Sequence, residues 1–410
     1  MLLAQLLGVS GLGLLAIVMR VVQVTNHLFS FRMNEFVVKF VAEPLAEDRP
    51  RQASAALKVG LLAEGASSLV AGALAMAAAP WAARQFVAGD PAAVEWIRIY
   101  AVVLLMNAVV ESTTGALQVF DRFSVQASSN VIRKVVAVTG VAAVWLWSGS
   151  LLQVLVAYLL AQLAANGYQL TKAFAAARAA LGDGWWRVSM SVLRPRRREL
   201  TKFALSTNIG ATLSMIVRES DLLWIAYFRS PLEAGYYELA TRLLKLPFAA
   251  GSPMSNAVYP ELVRTTSSAS PPEIRALLAR ITRLAALWVV PVVTVVALAT
   301  PWIITTFYGT EFSPAAPAVY ILLVGSSAAH LLFWSRPTLL ALGRPDAALA
   351  ITVGNSLLKV AAALLLVPAG GYLALAGILS GLNLLGATLS VSFILWSLHR
   401  QEQAPLGRLA

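Results

Sequence analysis

The sequence predicts an all-α polytopic membrane protein with about eleven or twelve transmembrane helices in two bundles. Three observations carry this expectation. Hydrophobic residues make up 58% of the 410 and charged residues 13%, where soluble domains have about 45–50% and about 25%. Apolar runs of about 20 residues, long enough to cross a bilayer as a helix, recur along the whole chain. The loops between them alternate between basic and charge-poor, as in a chain that crosses repeatedly and keeps its Lys and Arg on one side.

The runs fall near 11–33, 54–80, 93–119, 127–147, 151–175, 201–228, 233–257, 278–306, 315–341, 347–367 and 372–398. MLLAQLL at 1–7 is apolar but too short to cross, and reads as the tail of a further helix. The first basic loop carries Arg32, Lys39, Arg49, Arg51 and Lys58, and the next Arg122, Arg133 and Lys134. The 172–202 loop is the most basic, with Lys172, Arg178, Arg187, Arg194, Arg196, Arg197, Arg198 and Lys202. Arg264, Arg275, Arg280 and Arg283 follow, then Arg344, then Arg400 and Arg408 in the tail. The intervening loops hold only Arg84 and Arg229. One missed span would scramble this alternation, so it supports the count. Read as positive-inside, it makes the basic loops cytoplasmic; the Ala- and Arg-rich usage points to a bacterium, so the expected location is the bacterial inner membrane.

Residues 181–200 divide the chain into an N-terminal bundle (1–180), a basic linker and a C-terminal bundle (201–410). The linker holds Trp185, Trp186 and the run RPRRR at 194–198. Such a segment suits either a helix lying on anionic lipid or a plain topology anchor. The net charge of +12 follows from the basic loops and does not imply a nucleic-acid partner. With no Cys and three scattered His, neither a disulfide framework nor a spaced metal site is expected. The chain has no P-loop and no nucleophile elbow, and its loops are too short for a catalytic domain. The expectation is a transporter with no cofactor, not an enzyme.

The functional signal lies in polar residues at alternating steps of three and four, which share one helix face. Arg20, Gln23, His27, Ser30 and Asn34 form one such stripe, and Asn107, Glu111, Thr114 and Gln118 a second. Thr207, Ser214, Arg218 and Asp221 form a third; Glu238, Arg242, Lys245, Ser252 and Asn256 a fourth; Thr352, Asn355 and Lys359 a fifth. Charge inside a bilayer is costly and by default faces a partner or a water-filled cavity. The interior cations Arg20, Arg218, Arg242, Lys245 and Lys359 are therefore expected to line a cavity that attracts phosphate or carboxylate. The interior anions are Glu64, Glu111, Glu219, Asp221 and Glu238. Of these and nearby groups, Glu111, Asp221, Glu238 and His27 are candidates for proton or sodium coupling. Arg242 with Glu238, and Arg218 with Asp221, also stand at helix spacing for plain ion pairs. The Ser and Thr residues also suit a role as hydrogen-bond glue between helices.

The stretch SDLLWIAYFRSPLEAGYYELATRLLKLPFAAGSPMSNAVYPELVR resembles two consecutive helices of the polysaccharide transport family, the O-antigen-type oligosaccharide flippases of the MATE-like (MOP) exporter superfamily. FYGTEFSPAAPAVYILL and LALGRPDAAL resemble a later outer loop, helix and turn of that family. The resemblance implies two six-helix bundles and alternating access. It also implies a polyprenyl-pyrophosphate-linked sugar substrate, turned from the inner to the outer leaflet, with membrane lipids and the polymerase or glycosyltransferases of polysaccharide synthesis as partners. Arg218, Arg242 and Lys245 stand where a cationic cavity is proposed in such flippases. The competing expectations are a cation-coupled multidrug antiporter of the same superfamily, using Glu64 or Glu111, and a non-transporting membrane scaffold.

Overall fold

A computed structural model describes residues 1–87, 91–245, 247–249 and 251–403, without the side chains of 209–211, 213–218, 251–253, 255–257, 267 and 268. Among the described residues the regular structure is helical throughout, and eight helices are long and apolar enough to cross a membrane. The chain forms two compact units, Leu2–Pro231 and Leu232–Ala410.

In the first unit, α1 (Leu2–Phe29) leaves helical geometry at Gly8, with φ 64 and ψ −173. Glycine adopts this left-handed region without steric cost, and the break separates MLLAQLL from the apolar run beyond it. The expected loop after α1 instead holds a second helix, α2 (Asn34–Ala46), with Phe36, Val37, Phe40 and Val41 buried. Their spacing of one, three and one is that of an amphipathic helix face. Next, α3 (Pro50–Phe86) and α4 (Pro91–Met106) pack together. The expected 93–119 helix is interrupted: α4 stops at Met106 and α5 (Val110–Val119) restarts after three residues. Gly60 and Gly115 let α2 lie between α3 and α5. A Cβ on Gly60 would stand 2.6 Å from Val37 Cγ2, and one on Gly115 2.7 Å from the Asn34 carbonyl oxygen.

The α6 (Phe123–Leu146) and α7 (Leu151–Leu181) helices form the most extensive pair. They approach closely at Gly140, where a Cβ would come within 2.9 Å of Ala157 Cβ. The linker is not an α-helix. It forms two short 3₁₀ turns, Trp185–Arg187 and Met190–Arg196, followed by α8 (Arg197–Glu219) and, after a break at Ser220, α9 (Asp221–Phe228). Trp185, Leu193 and Leu200 are buried in one core with Phe36, Phe40, Leu57 and Leu61. Arg196 donates to Glu43 and to Glu199 at 3.0 Å each, and its guanidinium lies 5.3 Å from the Phe40 ring centre. The hydrogen bond from Arg196 holds the exposed Glu199 carboxyl below its usual range.

In the second unit, α10 (Pro231–Lys245) and α11 (Gly251–Ser268) precede α12 (Pro271–Ile303), which runs into a π-helical turn at Ile304–Tyr308 just after Pro301. The expected 315–341 helix is split into α13 (Ala315–Leu331) and α14 (Ser335–Ala341). Trp334 in the gap donates its indole N–H to Thr282 at 2.8 Å. The final helix, α15 (Pro345–Gln403), has 59 residues and breaks at Gly371 with φ 59 and ψ −145. The two expected runs, 347–367 and 372–398, lie on either side of that break. Gly325 permits the packing of α13 on α15, since a Cβ there would meet Ser380 Cα at 2.4 Å. The runs expected at 201–228 and 233–257 are not among the eight long apolar helices. The first is cut at Ser220 between Glu219 and Asp221, and the second is shared between α10 and α11.

Candidate functional site

Two helix interruptions meet α3 in the first unit. Inside a membrane every freed backbone group needs a partner, because lipid offers none. At the α4–α5 break the partners come from both sides. Glu64 of α3, 1% exposed, accepts from the Glu111 N–H at 2.8 Å and the Ser112 N–H at 2.7 Å. It caps the N-terminus of α5, where free N–H groups and the helix dipole favour a carboxylate. From the other side α7 presents Gln162, Asn166 and Gln169. Asn166 donates to the Met106 carbonyl at 2.8 Å and to Asn107 Oδ1 at 2.9 Å, and Gln162 reaches the same Oδ1 at 2.7 Å. Gln169 Nε2 lies 3.1 Å from the Val110 carbonyl and 2.9 Å from the hydroxyls of both Thr113 and Thr114.

The α1–α2 turn is held the same way. Phe31 N–H donates to Ser67 Oγ at 2.9 Å, and the Ser30 and Ser68 hydroxyls lie 3.0 Å apart. Asn208 of α8 clasps Arg32 at both its N–H (2.5 Å) and its carbonyl (3.3 Å). The Arg32 side chain approaches Glu111 at 3.8 Å, both being half-exposed. Asn208 and the Gln162–Asn166–Gln169 series were not expected from the sequence. The latter was legible, because steps of four and three place those residues on one face of α7.

The expected cations and anions of this unit sit as follows. Arg20 donates to Gln23 at 3.2 Å and forms an ion pair with Glu219 of α8. His27 is partly buried on the same face of α1. Glu111 faces Arg32, and Asp221 opens α9. The Arg218 and Ser214 side chains lie outside the described residues. Thr207 donates to the Phe203 carbonyl within its own helix.

In the second unit Glu238, 7% exposed, accepts from Arg242 Nε at 2.7 Å. This is the helical ion pair that the spacing of four allows. Lys245 is exposed at the end of α10, whereas Lys359 is 6% exposed within α15. Glu233, in the first turn of α10, accepts from the Tyr372 N–H at 3.1 Å and so caps the helix restarting after Gly371. Asn355 donates to the Leu382 carbonyl at 3.3 Å. Ser252 and Asn256 lie among the side chains not described. No three His, Asp or Glu side chains among the described residues gather as a metal site.

The arrangement qualifies the expectation of a simply basic cavity. Arg20, Arg32 and Arg242 each stand beside a carboxylate. An arginine so held keeps its charge and its five donors, and an incoming phosphate competes with the carboxylate for them. An apolar cleft of about 460 Å³ between α6 and α7, lined by Val136, Gly140, Trp147, Val156 and Leu160 among others, touches none of these groups.

A family model described as polysaccharide biosynthesis protein matches residues 2–317. Among solved structures the chain is similar to an inward-facing multidrug resistance MATE family transporter of the MOP superfamily: TM-score 0.72, 13% identity, covering 98% of this chain and 90% of that one. It is also similar to the lipid II flippase MurJ in an inward closed conformation, with TM-score 0.64 and 12% identity over 94% and 85% of the two chains. A Vibrio cholerae MATE transporter gives TM-score 0.61 and 12% identity over 97% and 91%. No curated protein matches the sequence. At these identities the likeness establishes the fold, which is MATE-like.

Proposed function

The chain belongs to the polysaccharide biosynthesis protein family, and on that premise we propose that it is a flippase carrying lipid-linked oligosaccharides across a bacterial inner membrane by alternating access. The substrate is a sugar unit on a polyprenyl pyrophosphate. One structural neighbour is itself a lipid II flippase, which supports a lipid-linked cargo. The observation that carries the reading is the pair of arginines held by carboxylates, Arg20 of the apolar helix α1 by Glu219 and Arg242 of α10 by Glu238.

In this reading Arg20 and Arg242 each serve one phase of pyrophosphate binding, with Arg218, Lys245 and Lys359 adding positive charge. A pyrophosphate diester carries more negative charge than one carboxylate and offers Arg a bidentate face, so it displaces Glu219 or Glu238. A carboxylate that loses its arginine in a low-dielectric site is stabilised by taking up a proton or a sodium ion. Glu238, Glu111, Asp221 and His27 are the groups proposed for that coupling. Polysaccharide polymerase and glycosyltransferases supply and consume such cargo. The transport step makes and breaks no covalent bond, so the protein is not an enzyme in this reading.

The second reading, a cation-coupled multidrug antiporter, is favoured by the MATE neighbours. It is disfavoured by Glu64, whose two oxygens are committed to the α5 N-terminus. Depletion of the protein in its host separates the two. Accumulation of polyprenyl-pyrophosphate oligosaccharide in lipid extracts, cleared by the wild type but not by Arg20→Ala or Arg242→Ala, supports the flippase. Normal lipid pools with raised sensitivity to cationic drugs support the antiporter.

A further inference from the structure

The 3₁₀ linker in the first unit has two unlike faces. One is anchored: Trp185, Leu193 and Leu200 are 5%, 6% and 8% exposed, and Trp185 packs edge-on to Phe174 at 5.4 Å. The other presents Trp186, Met190 and Val192 at 50%, 43% and 37% exposure. Arg187, Arg194, Arg197 and Arg198 are exposed among them. Trp186 is supported from behind by Trp185, at 6.1 Å between ring centres, and by Lys58, whose ammonium lies 5.2 Å from its ring centre.

Topology alone explains the arginines. It does not explain why a tryptophan, a methionine and a valine point outward among them on a scaffold whose other side is fixed. The linker leaves the end of α7, a helix long and apolar enough to cross a membrane, and carries the densest run of arginines in the chain, which sets it at the level of lipid headgroups on the basic side. There an aromatic ring and short apolar side chains enter the headgroup–acyl boundary, and arginines meet phosphates.

We propose that this face docks on anionic phospholipid headgroups of the leaflet at the basic side of the membrane. The four arginines select acidic lipid, and Trp186, Met190 and Val192 provide the apolar insertion. The occupant is the lipid surface, because acidic headgroups complement the arginines and acyl chains receive the apolar tips. The inference does not depend on what the protein transports.

The chain has no cysteine, so a single Val192→Cys carries an environment-sensitive fluorophore in the full-length protein. Purified protein is reconstituted in phosphatidylcholine vesicles, or in the same vesicles with added phosphatidylglycerol. Quenching by an aqueous quencher is expected to fall roughly fivefold with the anionic lipid. High salt weakens this protection, since the headgroup charge is screened. The protection is lost when Arg194, Arg197 and Arg198 are changed together to Gln. A label at Ser148, in the turn between α6 and α7, should not respond to lipid charge. Equal quenching of the Val192 label in both vesicle types overturns the proposal, as does undiminished protection in the triple variant. Protection produced in phosphatidylcholine vesicles by inorganic phosphate at constant ionic strength also overturns it, since that marks a free-phosphate site.

Discussion

In the first unit the polar centre is assembled from far apart in sequence: Glu64 caps a helix start 47 positions away, and Asn208 clasps a turn 176 positions away. In the second unit Glu233 caps the restart at Tyr372 across 139 positions in the same way, whereas Glu238 with Arg242 lies on a single helix turn. The first kind of contact satisfies backbone groups that lipid leaves bare, so its loss costs structure. The second holds a charge in readiness, so its loss is expected to cost function and leave the fold intact. Substitutions on each side test that division.

The largest effect is expected at Glu64. Glu64→Ala leaves two buried N–H groups at the start of α5 without an acceptor, at a cost of about 3 kcal/mol or more. Thermal unfolding in detergent should show this as a much lower midpoint or lost expression. Glu64→Gln keeps one acceptor and should fall between. A Glu64→Ala protein as stable as the wild type would break the distinction between the two kinds of contact. Gln169→Ala costs less, about 1 kcal/mol, because it removes the amide donor shared by the Val110 carbonyl and the Thr113 and Thr114 hydroxyls, while the Thr113 hydroxyl still donates to that carbonyl at 3.0 Å.

Arg242→Ala should cost about 1–2 kcal/mol, because the 35% exposed arginine leaves the 10% exposed Glu238 carboxylate without its donor, and so less than Glu64→Ala. Transport should nonetheless be abolished. If that variant unfolds as readily as Glu64→Ala, the pair is a structural brace and not a binding group.

The smallest effect concerns pH. Glu199 is held below the usual carboxylate range by Arg196, so it contributes stability above that range and loses it as pH falls through its own lower value. The wild type should lose a small increment of stability on acidification that Glu199→Gln lacks. Parallel curves for the two proteins would show that the linker clamp contributes nothing.

Most of the helices were legible in the amino acids because lipid imposes one rule on all of them. What periodicity missed were the interruptions. The breaks at 107–109 and 332–334 occur inside runs long enough to read as single helices, and the compensating groups sit on other helices. The α2 helix was hidden differently: its charges marked it as loop, while Phe36, Val37, Phe40 and Val41 carried the pattern of a buried face. Of the expected site residues, the Arg242–Glu238 pair was readable from spacing because the contact is local. The partner of Arg20, Glu219, lies on α8, and no spacing rule points there.

The central claim is that an arginine released from its carboxylate takes the pyrophosphate of a lipid-linked sugar. The most direct measurement places the purified protein in vesicles loaded on one leaflet with a polyprenyl-pyrophosphate oligosaccharide, and follows its arrival on the other with a membrane-impermeant glycosidase. The wild type should expose the sugar to the enzyme, Arg242→Ala should not, and Glu238→Gln should bind the pyrophosphate lipid more tightly. Wild-type rates in Arg242→Ala, or vesicles that extrude organic cations and leave the lipid in place, would contradict the account.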